Sequence, residues 1–278
     1  MRIIDAHHHL WDLEVRDQPW TAGLPALRRS FPLGELEPIA AAAGVSGTVL
    51  VQTIHAAGET PEMLAIADSS DLIVGVVGWT DVAAPDFGDR LSALREGVGG
   101  RWLVGIRHQV QDLPDGSWLT EPATLKGLRR LAAAGLAFDL IVRADQLPAC
   151  VAAAREVPEL RFVLDHAGKP RIAAGEVEPW ASDIRTLAVL PNVSCKLSGM
   201  VTEADLERWT VADLRPYAEV VLEAFGAGRV MFGSDWPVST LAADYARVVE
   251  TARELTEHLT VGEREEIFEG TATGVYRL

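Results

Sequence analysis

The chain has 278 residues, of which 48% are hydrophobic and 23% are charged, so it can bury one large core. Its formal net charge of −15 disfavours binding to nucleic acid and to anionic membrane surfaces. Two cysteines, Cys150 and Cys195, are too few for a disulfide scaffold. No run reaches the ~18 apolar residues of a membrane span. We therefore expect a cytoplasmic protein, and the sequence leaves open whether it is a monomer or a homodimer.

Eight short apolar runs recur along the chain. Each is nearly continuous rather than alternating, which is typical of a parallel strand buried on both faces. The runs span residues 2–9, 47–53, 72–81, 102–110, 136–143, 161–168, 192–199 and 229–236. Helical patterns lie between several of them, at residues 33–44, 86–97, 147–157, 217–226 and 242–259.

This alternation of strands and helices predicts an α/β fold. Eight units, in a chain close to the about 250 residues that such a fold needs, favour a closed (β/α)8 TIM barrel over an open sheet. An open sheet is also less favoured, because the chain contains none of the glycine-rich phosphate-binding motifs that are typical of open α/β sheets. We predict one domain, residues 1–278, in which the last helix and the tail to Leu278 complete the outer ring.

Polar residues follow the predicted strands at the ends where barrel enzymes carry their chemistry. His7 and His9 share one face of the first strand, because side chains two residues apart point the same way. Such a pair can place two imidazole nitrogens on one divalent ion. Asp235 follows the eighth strand, which adjoins the first strand in a closed barrel, and is the predicted third ligand. The alternative is a polar cluster without a ligand.

Two further strand-end residues point to catalysis. His166 is predicted to be a further ligand or a hydrogen-bond donor to the substrate carbonyl, although a buried structural histidine is the alternative. Lys196 lies in a nearly apolar strand, where an unpaired ammonium is costly. A site for an oxyanion or a carboxylate would explain it, whereas the alternative is a lysine whose ammonium reaches out of the barrel mouth.

Six more residues are predicted to contact the substrate because they lie at or just beyond strand ends. Arg107 and His108 alternate in facing, so one of the two is expected to point into the barrel, and the sequence does not decide which. The full set is Trp11, Gln52, His55, Arg107, His108 and Trp236. For the tryptophans and for Gln52, ordinary packing at the barrel mouth is the alternative.

Four motifs together resemble the amidohydrolase-related family of the amidohydrolase superfamily: IDAHHHLWD, LDHAGKP, CKLSGM and MFGSDWPV. Within it they resemble the branch of L-fuconolactonase-like, L-rhamnonolactonase-like and pyrone-dicarboxylate-lactonase-like enzymes. The resemblance runs from Ile4 to beyond Trp236. It implies a distorted TIM barrel, an active site built from His7, His9 and His166, and a proton-shuttling Asp235.

Many members of the superfamily carry a carboxylated lysine that bridges two metals, but LAFDLIVR at residues 136–143 offers no lysine for that role. The resemblance therefore implies a single divalent metal, with zinc expected first. It leaves open whether the reaction requires the metal, because relatives similar to the pyrone hydrolase work without one.

The expected reaction is hydrolysis of a sugar-derived or related carboxylic lactone, in which Asp235 removes a proton from the attacking water. His166 and Lys196 are expected to hold the developing oxyanion. A metal-dependent decarboxylase of an unsaturated or aromatic acid is the first alternative on the same scaffold. A non-catalytic barrel that binds a sugar acid is the second, and hydrolysis of an amide or cyclic imide also stays open.

Overall fold

The apolar runs form eight parallel strands in a computed structural model that describes residues 2–278. The strands are β1 (Ile3–His8), β2 (Val45–Val51), β3 (Ile73–Gly78), β4 (Leu103–Gln109), β5 (Ala137–Ile141), β6 (Arg161–Leu164), β7 (Val193–Leu197) and β8 (Val230–Phe232). Each strand pairs with the next one along the chain, so their order around the sheet is the chain order. The predicted single-domain TIM barrel is confirmed.

Helices surround the strands. They are α1 (Leu33–Ala42), α2 (Glu59–Asp68), α3 (Phe87–Glu96), α4 (Pro122–Ala133), α5 (Leu147–Glu156), α6 (Trp180–Ala188), α7 (Met200–Glu203), α8 (Val211–Phe225), α9 (Tyr245–Leu255), α10 (Val261–Glu265) and α11 (Thr271–Tyr276). The predicted helical segments correspond to α1, α3, α5, α8 and α9. Within residues 2–278, no helix is both long and apolar enough to cross a membrane.

The seam between β1 and β8 closes the barrel. His8 and Trp236 form a parallel bridge across it. The backbone nitrogen of Asp235 donates to the carbonyl of His7 at 2.8 Å, and that of His9 donates to the carbonyl of Trp236 at 2.7 Å. The first and the last strand therefore present their ends to the same part of the barrel mouth.

All eight strands end earlier than the apolar runs, and the difference is largest, at four residues, for β6 and β8. Residues 165–168 form a turn in which His166, Ala167 and Gly168 have positive φ, so β6 does not continue, and Asp235 has a φ of 57°, which no strand residue adopts. The apolar pattern does not predict the turns after β6 and β8, because buried side chains continue beyond the residue at which the backbone leaves the strand.

The carboxyl-terminal tail differs from its predicted place in the outer ring. Ala272 and Tyr276 of α11 pack with Ile4 and Val104, which lie near the starts of their strands. The tail therefore covers the amino-terminal end of the barrel, opposite the mouth. The apolar side chains of the tail are buried against that end of the barrel, so they do not pack among the outer helices.

Candidate active site

The barrel seam brings three predicted ligands together. The Nε2 atoms of His7 and His9 lie 3.2 Å apart. The Oδ1 atom of Asp235 lies 3.4 Å from Nε2 of His9 and 3.7 Å from Nε2 of His7. All three side chains are buried, and the backbone hydrogen bonds of the seam fix their relative positions. Their role as ligands stays a prediction.

His166 joins these residues through a backbone that L-residues rarely adopt. His166, Ala167 and Lys169 have φ values of 53°, 50° and 53°, and Gly168 between them has 68°. Left-handed conformations cost non-glycine residues roughly 1–2 kcal/mol each. This turn places Nε2 of His166 at 3.9 Å from Oδ1 of Asp235. We call His7, His9, His166 and Asp235 the reactive cluster.

Electrostatics in the reactive cluster favour a carboxylate at Asp235 and neutral imidazoles at His7 and His166. Burial lowers the pKa of His166 to about 4. Burial, aided by Lys196, also holds the pKa of His7 well below its usual value, against the opposing effect of Asp165. Burial acts to raise the pKa of Asp235, but His166 and His9 outweigh it and keep that pKa below its ordinary value. At neutral pH, Asp235 is ionised.

Asp5 is a residue that the sequence analysis missed. It is fully buried on β1 and accepts hydrogen bonds from Ser234 N at 2.7 Å, Ser234 Oγ at 2.6 Å and Tyr245 Oη at 3.0 Å. These bonds fasten the segment after β8 to β1, directly beside Asp235. An acid within the apolar run IIDAHH was the available signal, because a buried carboxylate must be hydrogen-bonded.

Lys196 lies beneath the reactive cluster. Its ammonium has no solvent exposure and contacts Asp139 at 2.5 Å, Asp165 at 3.0 Å and Nδ1 of His7 at 3.2 Å. It therefore does not reach out of the barrel mouth as the alternative interpretation required. Lys196 also does not line the cavity that opens above the reactive cluster, so any catalytic role of Lys196 must act through His7. The two carboxylates that balance it are further residues missed by the sequence analysis.

Of the two alternating residues on β4, Arg107 is the one that faces the barrel interior. Its Nη1 donates to Asp165 at 3.0 Å, and its Nη2 donates to the carbonyl of Gln52. Gln52 is fully buried and points to the carbonyl of Arg107 at 3.4 Å. Arg107 lines the cavity, whereas Gln52 is not among the lining residues.

His55 and His108 belong to an aromatic column outside the cavity. The ring of His108 lies 3.9 Å from that of Trp118 and 4.1 Å from that of His55, and His55 stacks 5.1 Å from Trp79. His55 also accepts a hydrogen bond from the backbone nitrogen of Gln109 at 2.9 Å. The column thereby joins the segments that follow β2, β3 and β4.

Trp11 and Trp236 pack within the loop that follows β1. Both rings make edge contacts with Phe31, at 4.9 Å and 5.6 Å, and both side chains are buried. Trp11 also donates to the carbonyl of Arg29 at 2.6 Å. Neither ring lines the cavity, in which Trp20 is the tryptophan. Contact of Trp11 and Trp236 with substrate stays a prediction that this geometry does not favour.

A cavity of about 160 Å³ opens directly above the reactive cluster. It is lined by His9, Trp20, Thr53, Arg107, Gln109, Gln111, Asp112, Ile141, His166, Lys169, Thr202, Glu203, Asp235 and Val238. It continues past Lys169 and Glu203 into a wider outer cleft of about 590 Å³, which also includes Arg143 and Arg171. The lining is a mixture of polar groups and a few apolar surfaces, which suits a small polar ligand.

The donor atoms at the base of the cavity fit a divalent metal. His9 Nδ1 lies 2.7 Å from the carbonyl of Val51, which can only accept, so Nδ1 carries the proton and Nε2 keeps its lone pair. Nδ1 of His7 lies 3.3 Å from Asp165, which can only accept, and 3.2 Å from the ammonium of Lys196, which can only donate. When Asp165 accepts the proton of Nδ1, Nε2 of His7 also keeps its lone pair. Both lone pairs then face each other and Asp235. A second set, His7, Asp165 and His166, is less suitable because Arg107 and Lys196 already engage Asp165.

The comparisons with known proteins agree with this architecture. The sequence profile of the family described as amidohydrolase matches residues 4–278. L-fucono-1,5-lactonase of Burkholderia ambifaria is 39% identical, and the match covers 99% of this chain and 95% of that one. A crystal structure of an amidohydrolase from Burkholderia multivorans with bound zinc has a TM-score of 0.94 at 36% identity and covers 100% of both chains. A 5-carboxyvanillate decarboxylase from Sphingomonas paucimobilis shares only the fold, at 16% identity and a TM-score of 0.65.

Proposed function

This protein belongs to the amidohydrolase family, and on that premise we propose that it is a hydrolase that opens the ring of a sugar-derived lactone. The observation that carries the proposal is the reactive cluster, in which one carboxylate oxygen lies 3.4 to 3.9 Å from three imidazole nitrogens. Full-length similarity to L-fucono-1,5-lactonases makes L-fucono-1,5-lactone the first substrate to test. A decarboxylase has weaker support, because only the fold is shared with that class.

Asp235 provides the proton transfers that the reaction needs. As a carboxylate, it accepts a proton from the water that attacks the lactone carbonyl. The same carboxyl group then returns this proton to the ring oxygen as the carbon–oxygen bond breaks, so Asp235 is regenerated for the next turnover. The product is a hydroxy acid.

His166 and Arg107 favour the charge that develops on the carbonyl oxygen. His166 Nδ1 lies 2.9 Å from Oγ of Ser198, and when that hydroxyl donates, Nε2 carries a proton that faces the cavity. The guanidinium of Arg107 adds positive charge at the same cavity wall. Groups held in place before the reaction stabilise an oxyanion without the cost of reorganising solvent.

We further propose that zinc occupies the position shared by His7, His9 and Asp235. Two imidazole nitrogens and a carboxylate oxygen are ligands that zinc accepts, with a position left open for water or substrate. A bound divalent metal polarises a carbonyl and makes a water molecule more acidic. The zinc-bound relative at 36% identity supports this choice of ion.

Replacement of Asp235 by Asn tests the proposal. The amide keeps the shape but cannot accept the proton, so we expect kcat on L-fucono-1,5-lactone to fall by roughly 10²- to 10⁴-fold. Ring opening releases acid, which a pH indicator measures, and elemental analysis of the same samples reports zinc. Turnover close to that of the wild type would remove Asp235 from the mechanism. Wild-type protein that binds aldonolactones without opening them would support a binding protein instead.

A further inference from the structure

We propose that Lys169 and Glu203 form a hydroxyl-binding pair that selects a neutral, polyhydroxylated lactone over an unsubstituted or a carboxylated one. This inference rests on the proposed lactonase function and specifies the substrate class of the same site. Both residues line the cavity above the reactive cluster, and both also line the outer cleft. They therefore stand where the part of the ring farthest from the reacting carbonyl would lie.

The two head groups are close but unsatisfied. Nζ of Lys169 lies 3.8 Å from Oε1 of Glu203, which is an ion pair but is too long for a hydrogen bond. Within residues 2–278, neither head group forms a hydrogen bond to another protein group. Each side chain is about one quarter exposed, at 27% and 26%, and that exposure faces the cavity and the cleft. An ammonium that donates and a carboxylate that accepts can together bind neighbouring hydroxyl groups.

The position of Lys169 depends on the left-handed turn that follows β6. Residues 166–169 all have positive φ, and the two ends of this turn, His166 and Lys169, both face the cavity. Glu203 comes from the last residue of α7, in the segment that follows β7. Two separate segments therefore converge to form the pair. The turn holds Lys169 at a fixed position relative to the reactive cluster.

The charges that line the cavity disfavour an anionic substrate. Its cations are Arg107 and Lys169, and each already has a carboxylate neighbour, Asp165 and Glu203 respectively. Asp112 and Asp235 add negative charge to the same lining. Neither cationic side chain of the lining is therefore free to pair with a ring carboxylate. A neutral ring with hydroxyl groups needs no free cation.

The size and the apolar part of the lining suit a single sugar-like ring. The cavity of about 160 Å³ is smaller than the roughly 300–1,000 Å³ of sites for drug-sized ligands. Trp20, Ile141 and Val238 provide apolar surface in the same cavity. A ring with carbon–hydrogen faces and a hydroxylated edge can contact both kinds of surface.

The test compares two variants on matched lactones. We expect Lys169→Met and Glu203→Gln each to lower kcat/KM on L-fucono-1,5-lactone by roughly 10- to 100-fold, as loss of a hydrogen bond to a charged group does. The same measurement is made on six-membered lactones that each lack one hydroxyl group. For the lactone that lacks the bound hydroxyl, wild-type activity should already be reduced. On this lactone, each variant should have a kcat/KM less than about twofold below that of the wild type, because the interaction is already absent from the wild-type complex.

Lys126→Met provides a matched control. Lys126 is an exposed lysine of α4 and lines neither the cavity nor the outer cleft. This variant should retain wild-type kcat/KM on every lactone. The melting temperatures of all variants are measured alongside, so that a loss of folded protein is not read as a loss of binding.

Three results would overturn the inference. The first is that both variants leave all rates unchanged, and the second is that they lower the rates on all lactones equally. The third is that wild-type protein prefers a dicarboxylated lactone, which would leave the lactonase proposal intact. Absence of activity on every lactone would instead contradict the proposed function itself.

Discussion

At the scale of single residues, a buried charge network supports the reactive cluster. Lys196 contacts Asp139 and Asp165, and Asp165 also accepts from Arg107 at 3.0 Å. Burial acts to raise the pKa of Asp165, but Lys196, His7 and Arg107 more than reverse this and hold the pKa well below its usual value. A permanently ionised Asp165 can then orient the ring of His7. This network makes Lys196 a positioning residue rather than one that contacts substrate.

Removal of the buried ammonium should cost stability. In Lys196→Met, the buried Asp139 loses its cation and the buried Asp165 keeps only Arg107, so we expect the free energy of unfolding to fall by about 3–5 kcal/mol, as measured by urea denaturation. Lys126→Met removes an exposed lysine from α4 and should change stability by less than about 0.5 kcal/mol. The double variant Lys196→Met, Asp139→Asn should recover part of the loss. A Lys196→Met protein as stable as the wild type would refute this account.

At the scale of elements, the aromatic column connects three βα segments without entering the cavity. Its four rings belong to Trp79, His55, His108 and Trp118. Burial, together with the charge of His55, lowers the pKa of His108 to about 3. Burial also lowers the pKa of His55, so both histidines of the column are uncharged at neutral pH. The stacking holds Gln109 at the cavity wall through the hydrogen bond to His55.

The neutral state of His108 predicts a pH dependence of folding. The folded protein binds this proton only near pH 3, whereas the unfolded chain binds it near the ordinary value of 6.5. Unfolding between these two values therefore takes up a proton. The contribution of neutral His108 to the free energy of unfolding is complete above pH 6.5. Between pH 6.5 and about pH 3 it falls by about 1.4 kcal/mol for each pH unit.

His108→Phe retains a flat ring in the column but has no proton to bind. We expect its stability, measured by urea unfolding from pH 8 to pH 4, to decline less steeply on acidification than that of the wild type. His258→Phe is the control, because His258 is exposed after α9 and no contact in the column involves it. Parallel pH profiles for wild type and His108→Phe would show that His108 is not held neutral.

The sequence predicted those elements that are specified by patterns of neighbouring residues along the chain. Continuous apolar runs located the strands, and the two-residue period of a strand put His7 and His9 on one face. It did not predict the left-handed turn at 166–169, because apart from Gly168 its residues do not favour positive φ. The meeting of Lys169 with Glu203 depends on that turn and was therefore out of reach. Asp139 could have been found, since a lysine in an apolar strand requires a buried acid.

At the scale of the whole molecule, the tail at one end of the barrel is connected to the reactive cluster at the other. Tyr276 donates to Oδ2 of Asp139 at 2.7 Å, and the same oxygen accepts from Lys196, whose ammonium contacts His7. Every group in this series is buried. The prediction that the tail completes the outer ring was wrong, because Tyr276 of the tail donates a hydrogen bond to a carboxylate inside the barrel.

The contribution of the tail can be measured with two tyrosine variants. Tyr276→Phe removes a buried donor from Asp139, so we expect a loss of about 1–3 kcal/mol in the free energy of unfolding. Tyr217 is also buried, but its hydroxyl has no hydrogen-bond partner in the described structure, so Tyr217→Phe should be neutral or slightly stabilising. Equal effects of the two variants in thermal unfolding would contradict the role assigned to Tyr276.

The seam between β1 and β8 has a consequence for synthesis. The imidazoles of His7 and His9 leave the ribosome before Asp235, because the strand that precedes Asp235 is the last of the eight strands in chain order. A nascent polypeptide that stops short of β8 therefore carries donor nitrogens without their carboxylate. Such long-range closure is slow relative to local folding. On the proposed mechanism, catalytic activity therefore requires that β8 pairs with β1, and we expect a translation product truncated before β8 to be inert rather than partly active.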